Sequence, residues 1–168
     1  NILRKNRTSV AILTGNETKE ELLGLADDIF MYFGLGCRNV SKLYVPNGFD
    51  ITTLFPHFDK YNWMHEHSKY MNNYDYHRAI LLLNQTQHLA DDKVMIQESK
   101  ALSTPLSMLY YEQYETLGTL QSELVVLKEE IQCVVCSPDT EKTLGITGTV
   151  RFGKTQFPEL NDYADGIN

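Results

Sequence analysis

Apolar residues recur along the chain in two alternating rhythms. Residues 9–13 (SVAIL) form a short β-branched run that predicts a buried strand. Thr14, Gly15 and Asn16 then turn the chain, and Thr18 with Glu21 gives capping-box spacing. Leu22, Leu25, Ala26, Ile29, Phe30 and Phe33 follow at helical intervals, and Gly34 stands where a C-cap glycine ends such a helix. Residues 42–45 (KLYV) predict the next strand, closed by Pro46. Strand, helix, glycine turn and strand together predict an α/β fold with parallel pairing.

Beyond Pro46, a helix is expected over residues 50–60, with Ile51, Leu54, Phe55 and Phe58 turned inward. The His-, Asn- and Tyr-rich stretch 61–73 carries no assignable rhythm. A helix is expected over 74–83 (YDYHRAILLL) and strands over 93–97 and 105–111, paired as a hairpin. A short helix over 114–124, a buried strand over 131–136 (IQCVVC) and a last strand over 149–152 (TVRF) complete the series. The acidic tail 158–168 reads as loop. No repeat, low-complexity tract or interdomain linker interrupts the 168 residues, so one domain is expected.

Composition sharpens this. Hydrophobic residues make up 42% of the chain, enough for a core. Mean hydropathy is −0.32, and no apolar run approaches the ~20 residues of a membrane span. The net charge of −7, with Arg4, Lys5 and Arg7 as the one basic cluster, argues against nucleic acid as a partner. No apolar targeting segment follows the polar N-terminus, and three cysteines do not make a disulfide framework; a reducing, cytoplasmic setting is the expectation. The first residue is Asn1, not Met, so an upstream region is expected.

Cys37 is the leading chemical candidate. A reactive cysteine needs a lowered pKa and open approach. Gly34 and Gly36 clear side chains from around the sulfur, and Arg38 beside it favours a thiolate. The competing reading is a structural cysteine in a glycine turn. Cys133 and Cys136 form a lone C-x-x-C inside an apolar run, which points to core and away from metal or redox work. His57, His65, Glu66 and His67 lack metal-binding spacing, so no metal site is expected. Residues 145–153 (GITGTVRFG) do not form a phosphate loop, and the dinucleotide fingerprint G-x-G-x-x-G is absent.

Residues 33–45 (FGLGCRNVSKLYV) resemble the active-site signature of aldehyde dehydrogenases. Gly34, Cys37, Lys42 and Val45 fall on its glycine, nucleophile, basic and valine positions; Leu35 replaces the usual Gln, and Lys42 the usual Arg. Residues 128–135 (KEEIQCVV) resemble the family's E-E-I-F-G-P segment, whose second Glu contacts the nicotinamide ribose. That role falls on Glu130, with Gln132 and Cys133 in place of Phe and Gly. Residues 33–46, 72–79 (NNYDYHRA) and 152–166 (FGKTQFPELNDYADG) are similar to the acyl-CoA reductases related to the bioluminescence fatty-acid reductase, a likeness extending over nearly all of the chain.

The resemblance implies the cysteine-bearing catalytic domain of the aldehyde dehydrogenase-like fold, three-layered with a mostly parallel sheet. A Rossmann-type cofactor domain would lie upstream. It further implies NADPH-dependent reduction of a fatty acyl-CoA to an aldehyde through a Cys37 thioester, and a possible homo-oligomer. The family's general-base Glu precedes the first strand, where this chain reads NILRKNR. Its absence fits reduction, which needs no water activated for hydrolysis. The competing functions are a CoA-acylating aldehyde dehydrogenase working oxidatively, a non-catalytic domain of the same fold, and a cysteine hydrolase with a histidine base.

Overall fold

A computed structural model of the chain describes residues 7–158. Six strands form one sheet in the order β3-β4-β5-β2-β1-β6. They are β1 (Thr8–Ile12), β2 (Val40–Pro46), β3 (Leu89–Ala90), β4 (Met95–Glu98), β5 (Met108–Tyr114) and β6 (Ile131–Val135). All neighbours pair in parallel except β3 with β4. The central strands β1 and β2 are buried almost throughout, as strands covered on both faces must be.

The side-chain alternation of a strand separates the two cores. On one face, Ala11, Leu13, Leu43 and Val45 pack with Leu25, Ile29 and Phe30 of α1 (Lys19–Phe30) and with Leu54 and Phe58 of a 3-10 helix, Ile51–Glu66. On the other, Val10, Ile12 and Tyr44 meet Leu120 and Leu124 of α3 (Leu117–Leu127) and Leu144 of α4 (Pro138–Leu144). Helix α2 (Ser68–Leu83) places Tyr74 and Leu81 on Met95 and Met108. The result is the expected three-layer α/β arrangement. No helix among the described residues is long and apolar enough to cross a membrane.

Several local expectations change. The capping box at Thr18 and Glu21 is present, but α1 ends at Phe30 instead of running to Gly34. Tyr32 (φ 55°), Phe33 (φ 59°) and Gly34 (φ 70°) follow in left-handed conformation. For Tyr32 and Phe33 this costs roughly 1–2 kcal/mol each. Residues 51–66 are helical but of the tighter 3-10 kind, with Pro56 inside.

The expected hairpin is instead a parallel pair, β4 with β5. Ser41 Oγ donates to the Leu102 carbonyl (2.8 Å) and Lys42 Nζ to that of Lys100 (2.9 Å), tying the return connection to β2. The expected strand 149–152 shrinks to one bridge, Val150 with Val135. Helix α3 starts later than expected because Tyr114 stays in β5, its hydroxyl donating to the Leu13 carbonyl (2.6 Å). Helix α4 was not expected. The stretch NILRKNR lies outside the described residues but for Arg7, as does most of the acidic tail and of the closing PELNDYADG.

Candidate active site around Cys37

Cys37 is exposed, on the turn that joins the left-handed segment to β2. The turn is built by Asn39. Its N–H donates to the Gly36 carbonyl (3.0 Å), and its side-chain oxygen accepts from Gly36 N–H (2.9 Å). Its amide nitrogen reaches back to the end of α1 and donates to the carbonyls of Asp28 (3.1 Å), Ile29 (3.3 Å) and Met31 (2.9 Å). One buried carboxamide thus caps a helix and shapes the loop carrying the cysteine. Ser9 Oγ, from β1, donates to the Cys37 carbonyl (3.0 Å). The Cys37 N–H makes no hydrogen bond to any described residue. On the far side, Phe33 packs its ring against His67 (4.4 Å between centroids), Trp63 (5.7 Å) and Tyr70 (6.1 Å), holding the left-handed backbone in place.

Arg38 braces the turn from behind. Its Nε donates to the carbonyl of Thr155 (2.5 Å), in a strap of chain formed by residues 151–157. The strap crosses α1 where two glycines meet. A Cβ on Gly24 would lie 2.9 Å from Gly153 N, and Gly153 itself has φ +80°. Asp28, buried in α1, fastens the crossing: its carboxylate accepts from Gly153 N–H (2.7 Å), Thr155 N–H (3.1 Å) and Thr155 Oγ (2.9 Å). Burial pushes this carboxyl up to about 6, against the pull of those hydrogen bonds.

Glu130 is exposed, immediately before β6. Its carbonyl accepts from Thr8 N–H (3.0 Å) and its own N–H donates to the Leu127 carbonyl (2.8 Å). Because Ser9 pairs with Val40 and Thr8 with Ile131, Cys37 and Glu130 both lie at the N-terminal edge of the parallel strands. They precede strands separated by β1 alone, about 10 Å apart at ~4.8 Å per strand. The sheet therefore puts these two sequence candidates on one edge without bringing them into contact.

Lys42, the basic position of the resemblance, is fully buried; its Nζ meets Glu112 (2.5 Å) and stands 4.9 Å from the Tyr44 ring. It braces the sheet. Cys133 and Cys136 are buried as core residues, and burial pushes the Cys136 thiol up. His65 bonds the Asn62 carbonyl, and His67 caps α2 by accepting from Tyr70 N–H (3.4 Å). No group of three or more potential metal ligands occurs among the described residues. Sequence reasoning missed Asn39, Asp28 and Thr155. Asp28 had a legible sign, a carboxylate inside the apolar stripe of α1.

Solved aldehyde dehydrogenases share this fold. A NAD-dependent aldehyde dehydrogenase from Sinorhizobium meliloti superposes with a TM-score of 0.53 at 11% identity, over 84% of this chain and 35% of that one. An indole-3-acetaldehyde dehydrogenase in complex with NAD+ gives 0.53 at 10% identity, over 84% and 36%. A putative aldehyde dehydrogenase from Burkholderia cenocepacia gives 0.50 at 9% identity, over 84% and 38%. The chain thus spans little more than a third of the length of these enzymes. No protein-family model and no curated protein matches the sequence.

Proposed function

We propose that this chain is the cysteine-bearing catalytic part of an acyl-CoA reductase, converting a fatty acyl-CoA to an aldehyde with NADPH. The observation that carries the reading is an exposed Cys37 on a turn fixed from three sides, at the strand edge of an aldehyde dehydrogenase-like fold. A nucleophile held by α1, β1 and the strap gains its advantage from orientation.

The Cys37 thiolate attacks the acyl carbonyl carbon, forming a carbon–sulfur bond and an oxyanion. Cys37 N–H, without a partner among the described residues, is one donor for that oxygen. Collapse breaks the bond to coenzyme A, which leaves as thiolate, and Cys37 holds the acyl group as a thioester. A reduced nicotinamide, when bound, supplies hydride to that carbonyl carbon. The second oxyanion is stabilised by the same N–H, and its collapse returns the Cys37 thiolate and releases the aldehyde. Glu130, on the same edge, is the acceptor for the ribose hydroxyls of the nicotinamide; a carboxylate suits hydroxyl donors. The remaining cofactor surface and the second oxyanion donor belong to an upstream domain in this proposal, which extends to a cytoplasmic homo-oligomer.

The hydrolase alternative needs a histidine bonded to Cys37. Among the described residues no histidine hydrogen-bonds Cys37; His65, His67 and His88 each spend Nδ1 on Asn62, Tyr70 and Thr86. The direct test is turnover of the full-length protein. Acyl-CoA with NADPH should give aldehyde and free coenzyme A, and Cys37→Ala should abolish it. Oxidation of aldehyde to carboxylic acid with no reduction of any acyl-CoA would overturn the proposal.

A further inference from the structure

Among the described residues Asp28 is the one buried carboxylate, and it reaches the Cys37 turn by two routes. Its backbone carbonyl accepts from Asn39 Nδ2, and its side chain fastens the strap whose Thr155 carbonyl accepts from Arg38. All three partners of the carboxylate are donors, two backbone N–H groups and one hydroxyl. An amide in its place would set its own NH2 against at least one of them. No lysine or arginine among the described residues pairs with it. Its neighbour Asp27 takes the nearby cation and phenol, Lys60 Nζ (2.6 Å) and Tyr61 OH (2.6 Å), both from the 3-10 helix.

The clamp also closes a crowded crossing, where Gly24 and Gly153 meet backbone to backbone. Past that crossing the strap runs behind the cysteine: a Cβ on Gly36 would lie 3.9 Å from Gln156 Nε2. A charged group kept under protein without a counter-charge opposes stability at neutral pH. Such an arrangement, one hydrogen bond removed from the turn that carries an exposed cysteine, is a candidate for a role at that cysteine.

We infer that Asp28 is a positioning residue for Cys37: its carboxylate latches the 151–157 strap onto α1, and the strap holds Arg38 and the orientation of the cysteine. The inference rests on Cys37 being the nucleophile. A proton on Asp28 replaces an acceptor with a donor facing donors, so the latch loosens in acid. Asp27 on α1 and Tyr61 on the 3-10 helix act on it electrostatically; Lys60 on that helix, Arg38 on the turn, and Arg151 and Lys154 on the strap are the Lys and Arg residues of the elements packed against it. Asp27 acts on it in the same direction as burial, upward.

The test uses the full-length protein, with kcat and KM measured from pH 5 to 8.5 and alkylation of all three cysteines followed by peptide mass spectrometry. In the wild type, kcat falls as pH drops through about 6. In Asp28→Asn that acid limb disappears, and kcat at pH 7.5 drops about 10–100-fold while KM changes far less, the cost of a displaced nucleophile. Cys133 and Cys136 stay protected, showing that the core is intact. If Asp28→Asn exposes them, Thr155→Val decides. It removes one hydrogen bond to the ionised form, so the acid limb moves to higher pH. An Asp28→Asn protein with wild-type kcat and acid limb, or a Thr155→Val limb that does not move, overturns the inference. Cys37→Ala separates the two levels. If it remains active, the nucleophile reading itself fails; if it is dead while both latch variants behave as wild type, the latch alone fails.

Discussion

Asn39 is where the architecture of the turn is most exposed to a single change. Its buried carboxamide spends its oxygen on Gly36 N–H and shares two hydrogens among the carbonyls of Asp28, Ile29 and Met31. In Asn39→Ala the Gly36 N–H and at least one carbonyl lose their partner. A buried polar group left unpaired costs about 1–3 kcal/mol, so the expected loss is roughly 2–4 kcal/mol. That is a large part of the ~5–15 kcal/mol that holds a domain together. Asn39→Asp is nearly isosteric and should be worse near neutral pH. Its second oxygen would face three carbonyl oxygens at the negative end of α1, a site that repels an anion. Those oxygens and the burial raise the new carboxyl above its ordinary value. The stability it retains is therefore fully present only below the unfolded-state value, and is lost as pH rises through the raised one. Urea unfolding followed by far-UV circular dichroism at pH 5 and pH 8 measures this. Asn39→Asp should fall below Asn39→Ala at pH 8 and recover toward it at pH 5. If both variants lie within about 0.5 kcal/mol of wild type at pH 8, the range of an ordinary surface change, Asn39 does not hold the turn.

Other perturbations follow from the same geometry. Gly24→Ala puts a methyl group 2.9 Å from Gly153 N, backbone that has no rotamer to yield. It should cost about 1–3 kcal/mol, read as a lower melting temperature and earlier proteolysis in the strap. Lys42→Ala leaves Glu112 beside an emptied site in the sheet, and a loss of about 3–5 kcal/mol is expected. Lys42→Met with Glu112→Leu should restore much of it in the same melt. Asp28 gives a pH signature in stability. Its carboxyl is raised from the ordinary 3.8 to about 6, a difference worth roughly 3 kcal/mol. Its contribution is full below 3.8 and lost as pH rises through about 6, so wild type should lose up to that much stability relative to Asp28→Asn between pH 4 and pH 7.5.

What could be read from the sequence was local. Thr18 and Glu21 announced the start of α1, and the β-branched runs announced β1, β2 and β6, because caps and buried strands are written in neighbouring residues. Cys37, just after Gly34 and Gly36, was visible for the same reason. Helix α4 was legible too, in Ser137, Pro138 and a left-handed Gly145, and was overlooked. The rest depends on distant partners. The left-handed Tyr32 and Phe33 contradict local preference and are held by Asn39 and by rings from residues 63–70. The parallel β4–β5 pair needs a return connection, and Ser41 and Lys42 of β2 tie that connection down at Leu102 and Lys100. The latch on Cys37 joins residues more than a hundred positions apart, Asp28 with Gly153 and Arg38 with Thr155, a pairing no periodicity encodes.

The central claim is that Cys37 carries the acyl group. Mixing the full-length protein with acyl-CoA, without reductant, and mapping adducts by peptide mass spectrometry tests it most directly. One acyl group should appear on Cys37, vanish in Cys37→Ala and Cys37→Ser, and disappear from the wild type when NADPH is added. An acyl group on Cys133 or Cys136, or aldehyde formation that persists in Cys37→Ala, would contradict it.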